Sequence, residues 1–227
     1  MIDYEQQRLI MVLSQLRPSQ VTDPRLLAAM GAVPRERFVP SGKALLAYVD
    51  EGVEVWPSLD GAPARFLLAP VVLARLIQLA SVGPDDRVLD IGCATGYSTA
   101  ILASLARSVT GLETEPELAA AAGRNLGELA GAHARDNTEI VTGPLDQGDA
   151  GGAPYDVILL NGSVADIPGA LLAQLKEQGR LVAIIAHGGP GKAYLFVKAG
   201  AQASGVPHFD AGAKPLPGFA RALCFTF

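Results

Sequence analysis

The sequence predicts an α/β fold, with a doubly wound, mostly parallel sheet between an N-terminal helical arm and C-terminal antiparallel strands. Three observations lead to this class. From residue 70 to residue 186, short apolar segments typical of strands alternate with segments of helical periodicity. A glycine-rich turn follows the first of these strands and opens a helix, a geometry that presents backbone N–H groups to a ligand. The last two strand candidates have no helical segment between them, so we expect them to pair antiparallel.

The N-terminal part of the chain has the pattern of a helical arm. Apolar residues recur at helical spacing over residues 3–16, and Asp23-Pro24 opens a second helix that runs to Met30. A connection rich in glycine and proline spans residues 52–63 and contains a short strand candidate. We predict a single domain over residues 1–227, divided into the arm and substrate loop (1–69), the core (70–186) and the C-terminal strands (187–227).

In the core, the predicted helices and strands alternate regularly. Helices are predicted at residues 71–79, 97–106, 116–129 and 168–175. Strands are predicted at residues 87–91, 108–112, 138–142, 155–160 and 181–186. The two final strands are placed at residues 193–198 and 220–227, joined by a long loop rich in glycine and proline.

Composition excludes several classes of protein. A net charge of −5 without any Lys/Arg cluster argues against nucleic acid as a partner. The apolar runs are too short to span a membrane, and the N-terminus lacks the pattern of a secretory signal. Cys93 and Cys224 match no metal spacing or redox pair, so we expect no metal site and a cytoplasmic protein. The isolated His133, His187 and His208 are interpreted as surface or loop residues.

Residues 87–98 carry the main binding signal. A strand that contains Asp90 leads into a tight turn formed by Gly92 and Gly96, and a helix follows directly. Glu113 ends the next strand, at the distance where a carboxylate binds the two hydroxyls of a ribose. The predicted cofactor-binding residues here are Asp90, Gly92, Cys93, Ala94, Gly96, Tyr97, Ser98 and Glu113.

The charge of Asp90 distinguishes between possible cofactors. S-adenosylmethionine carries an ammonium and a sulfonium, which suit a carboxylate at the mouth of the turn. The same carboxylate would repel the pyrophosphate of NAD. We therefore predict a site for S-adenosylmethionine, with an NAD site and a purely structural turn as the alternatives.

Several stretches of the chain form recognisable motifs. They are Met11-Val12-Leu13-Ser14-Gln15-Leu16-Arg17, Val33-Pro34-Arg35-Glu36-Arg37-Phe38-Val39-Pro40, Val88 to Tyr97, Tyr155-Asp156-Val157-Ile158 and Ile167-Pro168-Gly169-Ala170-Leu171-Leu172. Together they resemble the protein-L-isoaspartate O-methyltransferase family, and the N-terminal block is the specific part. The resemblance implies a class I methyltransferase (Rossmann-like) fold. It also implies methyl transfer from S-adenosylmethionine to the free carboxylate of an isoaspartyl residue, so the partner would be a damaged protein or peptide, or a small-molecule acceptor.

The chain departs from this family in the substrate loop. In the family a Thr and a Ser, two residues apart, precede a Pro that begins a buried helix. Alignment on Pro70 puts those positions at Phe66 and Leu68, so the substrate loop here is Arg65, Phe66, Leu67 and Leu68. The acceptor carboxylate thereby loses hydrogen bonds, each worth about 1.5–3 kcal/mol. Arg65 either anchors the acceptor's anion, with its fork of donors, or is an exposed loop residue.

These losses predict that isoaspartyl methylation is weak or absent. The alternatives are a methyltransferase for a different carboxylate or oxygen acceptor, and a non-catalytic module that binds S-adenosylmethionine. A second departure follows the third core strand, where the family has an acid near the adenine. Either Asp146 or Asp149 substitutes for this acid, or Leu145 packs on the ring. Asn161 is predicted to contact the cofactor at the mouth of the site, although Asn-Gly is also a turn signal.

Overall fold

The computed structural model describes residues 3–58, 63–129, 136–200 and 202–219. The strands are β1 (Val53–Trp56), β2 (Arg65–Leu67), β3 (Arg87–Ile91), β4 (Ser108–Glu113), β5 (Thr138–Thr142), β6 (Tyr155–Val164), β7 (Leu175–Ile185), β8 (Lys192–Ala199) and β9 (Gln202–Asp210). The α-helices are α1 (Tyr4–Ile10), α2 (Pro24–Ala32), α3 (Pro70–Ala80), α4 (Tyr97–Ala103), α5 (Pro116–Glu128) and α6 (Gly169–Ala173). A π-helical segment, Met11–Leu16, continues α1, and two 3-10 helices span Arg35–Phe38 and Ser41–Leu46.

The predicted fold class is confirmed. Seven strands form one sheet in the order β5-β4-β3-β6-β7-β8-β9, and β1 and β2 form a separate two-stranded ribbon. The pairs from β5 to β7 are parallel, while β8 and β9 pair antiparallel. The chain runs outward from β3 to β5 and then returns to β6 on the other side of β3. This reversal of strand order opens a crevice at the carboxyl ends of β3, β4 and β6, where α/β sheets bind ligands.

The N-terminal arm is fastened to the rest of the protein through a buried arginine. Arg35 is 0% exposed, and its guanidinium donates to the carbonyl oxygens of Ala47 and Leu68, both at 2.7 Å. Thr95, in the glycine turn, donates from Oγ1 to the carbonyl oxygen of Phe38 at 2.6 Å. The arm therefore positions both the β2 segment and the turn that follows β3.

One C-terminal prediction needs correction. The partner of β8 is β9, which begins three residues after β8 ends, whereas the sequence placed a long loop there. Gly205 and Pro207 obscured this strand, yet each has a reason to be in it. Proline is tolerated in an edge strand, and Gly205 makes room for the ring of Phe196, since a Cβ there would lie 2.3 Å from that ring. The strand predicted at 220–227 lies outside the described residues.

Among the described residues, no helix is long and apolar enough to cross a membrane.

Candidate functional site

The glycine turn after β3 has the backbone conformation that its sequence predicts. Gly92 and Gly96 have φ angles of +72° and +93°, and Ala94 between them also lies in the left-handed region at +51°. The turn is anchored to the end of β4. The Gly92 N–H donates to the carbonyl oxygen of Leu112 at 2.8 Å, and the Ala94 N–H donates to Oε2 of Glu113 at 2.8 Å. These two hydrogen bonds therefore fix the turn to the end of β4.

Asp90 is the hub that joins the turn, α4 and β6. Its Oδ2 accepts hydrogen bonds from Ser98 Oγ (2.7 Å) and Thr99 Oγ1 (2.6 Å), and its Oδ1 accepts one from Asn161 Nδ2 (2.6 Å). Burial raises the pKa of the Asp90 carboxyl, although these donors oppose the shift. Asp90 thus fixes the positions of the Ser98, Thr99 and Asn161 side chains. Its interaction with the ammonium group of a cofactor stays a prediction.

Two conclusions follow for the residues that contact Asp90. Asn161 and Gly162 lie inside β6, so the alternative that Asn-Gly forms a turn is wrong. Thr99 was not among the residues predicted from the sequence. It could have been predicted, because the first residues of the helix after such a turn face the preceding strand.

Glu113 lies at the end of β4, and both oxygens of its carboxylate accept hydrogen bonds from the protein. Besides Ala94, the donors are Arg65 Nη1 at 2.9 Å and the N–H groups of Thr114 at 2.8 Å and Glu115 at 3.4 Å, all to Oε1. A second nitrogen of the same guanidinium donates to the carbonyl oxygen of Gly92 at 3.1 Å. Arg65 therefore occupies the place beside Glu113 where a ribose is predicted to bind.

The alternative in which Arg65 is an exposed loop residue is wrong. Arg65 and Leu67 face inward from β2, and the exposed fraction of Arg65 is only 2%. The carboxylate that Arg65 binds in the structure is that of Glu113. The role of Arg65 as the anion anchor of the methyl acceptor therefore stays a prediction. In the described arrangement, the Arg65 guanidinium binds Glu113 and the carbonyl oxygen of Gly92.

Residues 211–219, which we name the C-terminal strap, cover the crevice from the other side. The strap crosses the end of β6, where the Ser163 N–H donates to the carbonyl oxygen of Lys214 and the Leu216 N–H donates to that of Ser163, both at 2.9 Å. Leu216 and Phe219 are buried in the same apolar cluster as Leu145. The structure thus places Leu145 against the strap, and its predicted contact with an adenine ring stays a prediction.

Two cavities lie on opposite sides of β2. A small cavity beside the glycine turn has a volume of about 10 Å³, enough for roughly one water molecule. It is lined by Phe66, Leu67, Leu68, Leu73, Gly92, Cys93, Tyr97, Ser98 and Asn161. A larger cavity of about 540 Å³, which we name the acceptor cleft, is lined by Asp50, Glu51, Gly52, Phe66, Leu67, Leu68, Ala69, Val72, Gly212, Ala213 and Lys214. The substrate-loop residues 66–68 are therefore a wall shared by both spaces.

The structure also locates the other residues that the sequence analysis considered. Cys93 is buried, and this burial raises the pKa of its thiol, which suits packing better than nucleophilic chemistry. Asp149 accepts hydrogen bonds from the Tyr155 hydroxyl and from the amides of Gly151 and Gly152. His187 and His208 are exposed, as expected. His133 and Cys224 lie outside the described residues.

The residue set around the turn fits S-adenosylmethionine, but the described arrangement leaves little room for it. A Cβ at Gly92 would lie 2.8 Å from Leu216 Cδ2 and 2.9 Å from Arg65 Nη2. Two side chains therefore fill the space next to Gly92. Withdrawal of Arg65 would free Glu113 for the ribose hydroxyls, and withdrawal of Leu216 would free the surface of Gly92.

Comparison with known proteins identifies the family. Residues 5–206 match the family model of protein-L-isoaspartate(D-aspartate) O-methyltransferase. A protein-L-isoaspartate O-methyltransferase of Koribacter versatilis is 37% identical over 190 residues, which cover 84% of this chain and 80% of that protein.

Solved structures show the same fold. A protein-L-isoaspartate O-methyltransferase superposes with a TM-score of 0.77 and 24% identity, over 95% of this chain and 66% of that one. A Plasmodium falciparum structure named for the same activity, in complex with S-adenosyl-L-homocysteine, gives a TM-score of 0.72 at 21% identity, over 94% of this chain and 98% of its own. From the match over residues 5–206 and the 37% identity to the bacterial relative, the chain belongs to the protein-L-isoaspartate(D-aspartate) O-methyltransferase family of S-adenosylmethionine-dependent methyltransferases.

Proposed function

We propose that the chain methylates carboxylates, and that it prefers a carboxylate carried beside an apolar group to the isoaspartyl residue of a damaged protein. The observation that carries the proposal is the shared wall of residues 66–68. It separates a largely apolar cleft from the small cavity that borders the glycine turn and Asn161. The relatives' names supply the isoaspartyl activity, and the side chains of this wall argue for the different preference.

The residues of the site divide the work in a simple way. S-adenosylmethionine, when bound, supplies an electrophilic methyl group. Glu113 would hold the ribose, and the Asp90 network keeps the glycine turn and α4 in register. Phe66 and Leu68 exclude water from the wall between the two ligands. A base is not required, because a carboxylate with a pKa near 4 is already ionised at neutral pH.

Lys214 gives the acceptor cleft its positive charge. Its Nζ lies 5.7 Å from the centre of the Phe66 ring, and no carboxylate in the described ranges forms an ion pair with it. Asp50 and Glu51 line another part of the same cleft, and Asp50 caps α3 by accepting from the Val71 N–H. An acceptor with a single carboxylate on an apolar body matches this distribution of charge, since a second anionic group would be repelled by Asp50 and Glu51.

The choice of acceptor can be tested with matched substrates. The wild-type chain is expected to methylate an isoaspartyl peptide slowly, and a double variant Phe66→Thr, Leu68→Ser to methylate it at least tenfold faster. Each restored hydroxyl would add a hydrogen bond to the carboxylate, worth about 1.5–3 kcal/mol. The measurement is transfer of labelled methyl to the isoaspartyl peptide, with the normal aspartyl peptide as control.

Each outcome of this assay has a clear meaning. Rapid wild-type turnover of the isoaspartyl peptide would contradict our acceptor preference and leave the family's own substrate. Binding of S-adenosylhomocysteine without transfer to peptides or to apolar carboxylic acids would favour a non-catalytic binding module. The pairing of Arg65 with Glu113 is the observation that keeps this second candidate open.

Lys214→Ala is expected to raise KM for an apolar carboxylic acid about fivefold, with little change in kcat, because an exposed ion contact contributes up to about 1 kcal/mol. Lys192→Ala is the matched control, since Lys192 is an exposed lysine that pairs with Asp210 at the sheet edge. An equal KM for both variants would show that Lys214 does not contact the acceptor.

The acceptor we propose is a protein or small-molecule carboxylate and no nucleic acid, in keeping with the net charge of −5. The cytoplasmic setting expected from the sequence stays a prediction.

A further inference from the structure

The C-terminal strap is held at the mouth of the crevice by a small set of specific contacts. Ser163 is bonded to it on both sides, through its own N–H to Lys214 and through its carbonyl oxygen to the Leu216 N–H. A third bond runs from Ser163 Oγ to the carbonyl oxygen of Ala213 at 3.1 Å. The family match ends at residue 206, so the strap belongs to the part of the chain that the family model does not cover.

Leu216 is the residue of the strap that enters the crevice. It lies against the two glycines that flank the site, because a Cβ at Gly92 would be 2.8 Å from Leu216 Cδ2 and a Cβ at Gly162 would be 2.7 Å from its Cγ. A glycine after the first strand of such a fold normally lets a ligand approach the backbone. Here the chain's own leucine takes that position and is only 5% exposed.

Arg65 approaches the same glycine as Leu216. Its guanidinium bridges Glu113 and the carbonyl oxygen of Gly92, so it seals the position beside the predicted ribose carboxylate. Leu216 and Arg65 both approach Gly92, and together they fill the space that a Cβ at this glycine would enter.

We infer that the strap is an autoinhibitory plug, which closes the cofactor crevice with Leu216 and must be displaced before S-adenosylmethionine binds. This inference rests on the proposed function, because it concerns regulation of the same site. Lys214, two residues before Leu216, lines the acceptor cleft on the other side of the wall. Displacement of the strap therefore changes the acceptor cleft as well, which links occupation of the two ligand sites.

If the strap closes the crevice, the unaltered chain binds the cofactor more weakly than a variant that lacks the plugging side chain. When only a fraction of molecules is open, the apparent dissociation constant rises by the inverse of that fraction. Leu216→Ala is expected to tighten binding of S-adenosylhomocysteine about tenfold, because a large apolar side chain no longer has to leave its buried position. Leu171→Ala is the matched control, as it removes the same atoms from the same apolar cluster within α6.

Calorimetric titration of the unaltered chain and the two variants with S-adenosylhomocysteine separates the possible results. Tighter binding by the Leu216 variant alone supports the plug. Equal affinities for all three would overturn the plug and leave the proposed function intact. Absence of binding by all three would overturn both, since an opened crevice would still not admit the cofactor.

A second measurement on the unaltered protein covers the case in which a variant fails to fold. Addition of S-adenosylhomocysteine is expected to speed hydrogen exchange at the amides of Ser163 and Leu216, which lose their partners when the strap leaves. The amide of Val157, near the start of β6 and between two paired strands, serves as the internal control. Slower exchange at Ser163 and Leu216 on binding would show that the strap stays in place, and would overturn the inference.

Discussion

Glu113→Gln is expected to lower the free energy of unfolding by about 3–5 kcal/mol, because it leaves the Arg65 guanidinium buried without a counter-charge. The exposed fractions of the two side chains are 2% and 0%, so water cannot replace the lost carboxylate. Denaturant unfolding followed by circular dichroism would measure the change. The same variant is expected to lose binding of S-adenosylhomocysteine, because Glu113 is the predicted ribose ligand.

Two controls separate these effects. Glu54→Gln removes the carboxylate of an ion pair with Lys43, in which the two side chains are 39% and 36% exposed. This change is expected to lower the free energy of unfolding by less than about 1 kcal/mol. The double variant Arg65→Met, Glu113→Gln is expected to recover most of the stability, since it removes both buried charges, but not the binding. A Glu113→Gln cost as small as that of Glu54→Gln would contradict the buried ion pair.

Arg35→Ala is expected to destabilise the protein by about 3 kcal/mol or more and to abolish methyl transfer. It deletes two hydrogen bonds from a charged donor, each worth about 1.5–3 kcal/mol, and leaves a cavity beside Tyr97, over whose ring the guanidinium lies at 4.7 Å. The lost bond to the carbonyl oxygen of Leu68 also releases the wall between the two ligand sites. Thermal unfolding and the labelled-methyl assay would measure the two losses.

Arg37→Ala is the matched control for Arg35→Ala. Arg37 lies two residues away and forms an ion pair with Glu128 in which the two side chains are 43% and 65% exposed. Its loss is expected to change stability by no more than about 0.5 kcal/mol. If Arg37→Ala were as harmful as Arg35→Ala, the anchoring role of Arg35 would be contradicted.

The parts of the fold that the sequence predicted are those set by local chemistry. Periodicity located the core strands and helices, and β5 has the predicted limits. The glycine turn and Glu113 come together because the ends of adjacent parallel strands meet at one edge of the sheet. Local patterns failed at β9, where glycine and proline indicate a loop unless the ring of Phe196 and the edge position are known.

The contacts that close the site could not be predicted from local patterns. The partner of Arg65 depends on how the β1-β2 ribbon lies against the sheet, which no short pattern encodes. The position of Leu216 likewise depends on the path of the strap after β9. The alternation of Arg65 and Leu67 in β2 could have indicated that both side chains face inward. A charged residue in a strand is nevertheless expected to face solvent unless its partner is known.

The position of the shared wall has a consequence for how this enzyme could change over evolution. Phe66 and Leu67 belong to a small ribbon outside the seven-stranded sheet and Leu68 follows it directly, whereas Glu113 ends a strand of the sheet and the glycine turn follows another. If residues 66–68 select the acceptor as we propose, substitutions there can alter which molecules are accepted while the residues predicted to bind the methyl donor are preserved. A chain built in this way can acquire new acceptors by drift at three adjacent positions, with no rebuilding of its donor site.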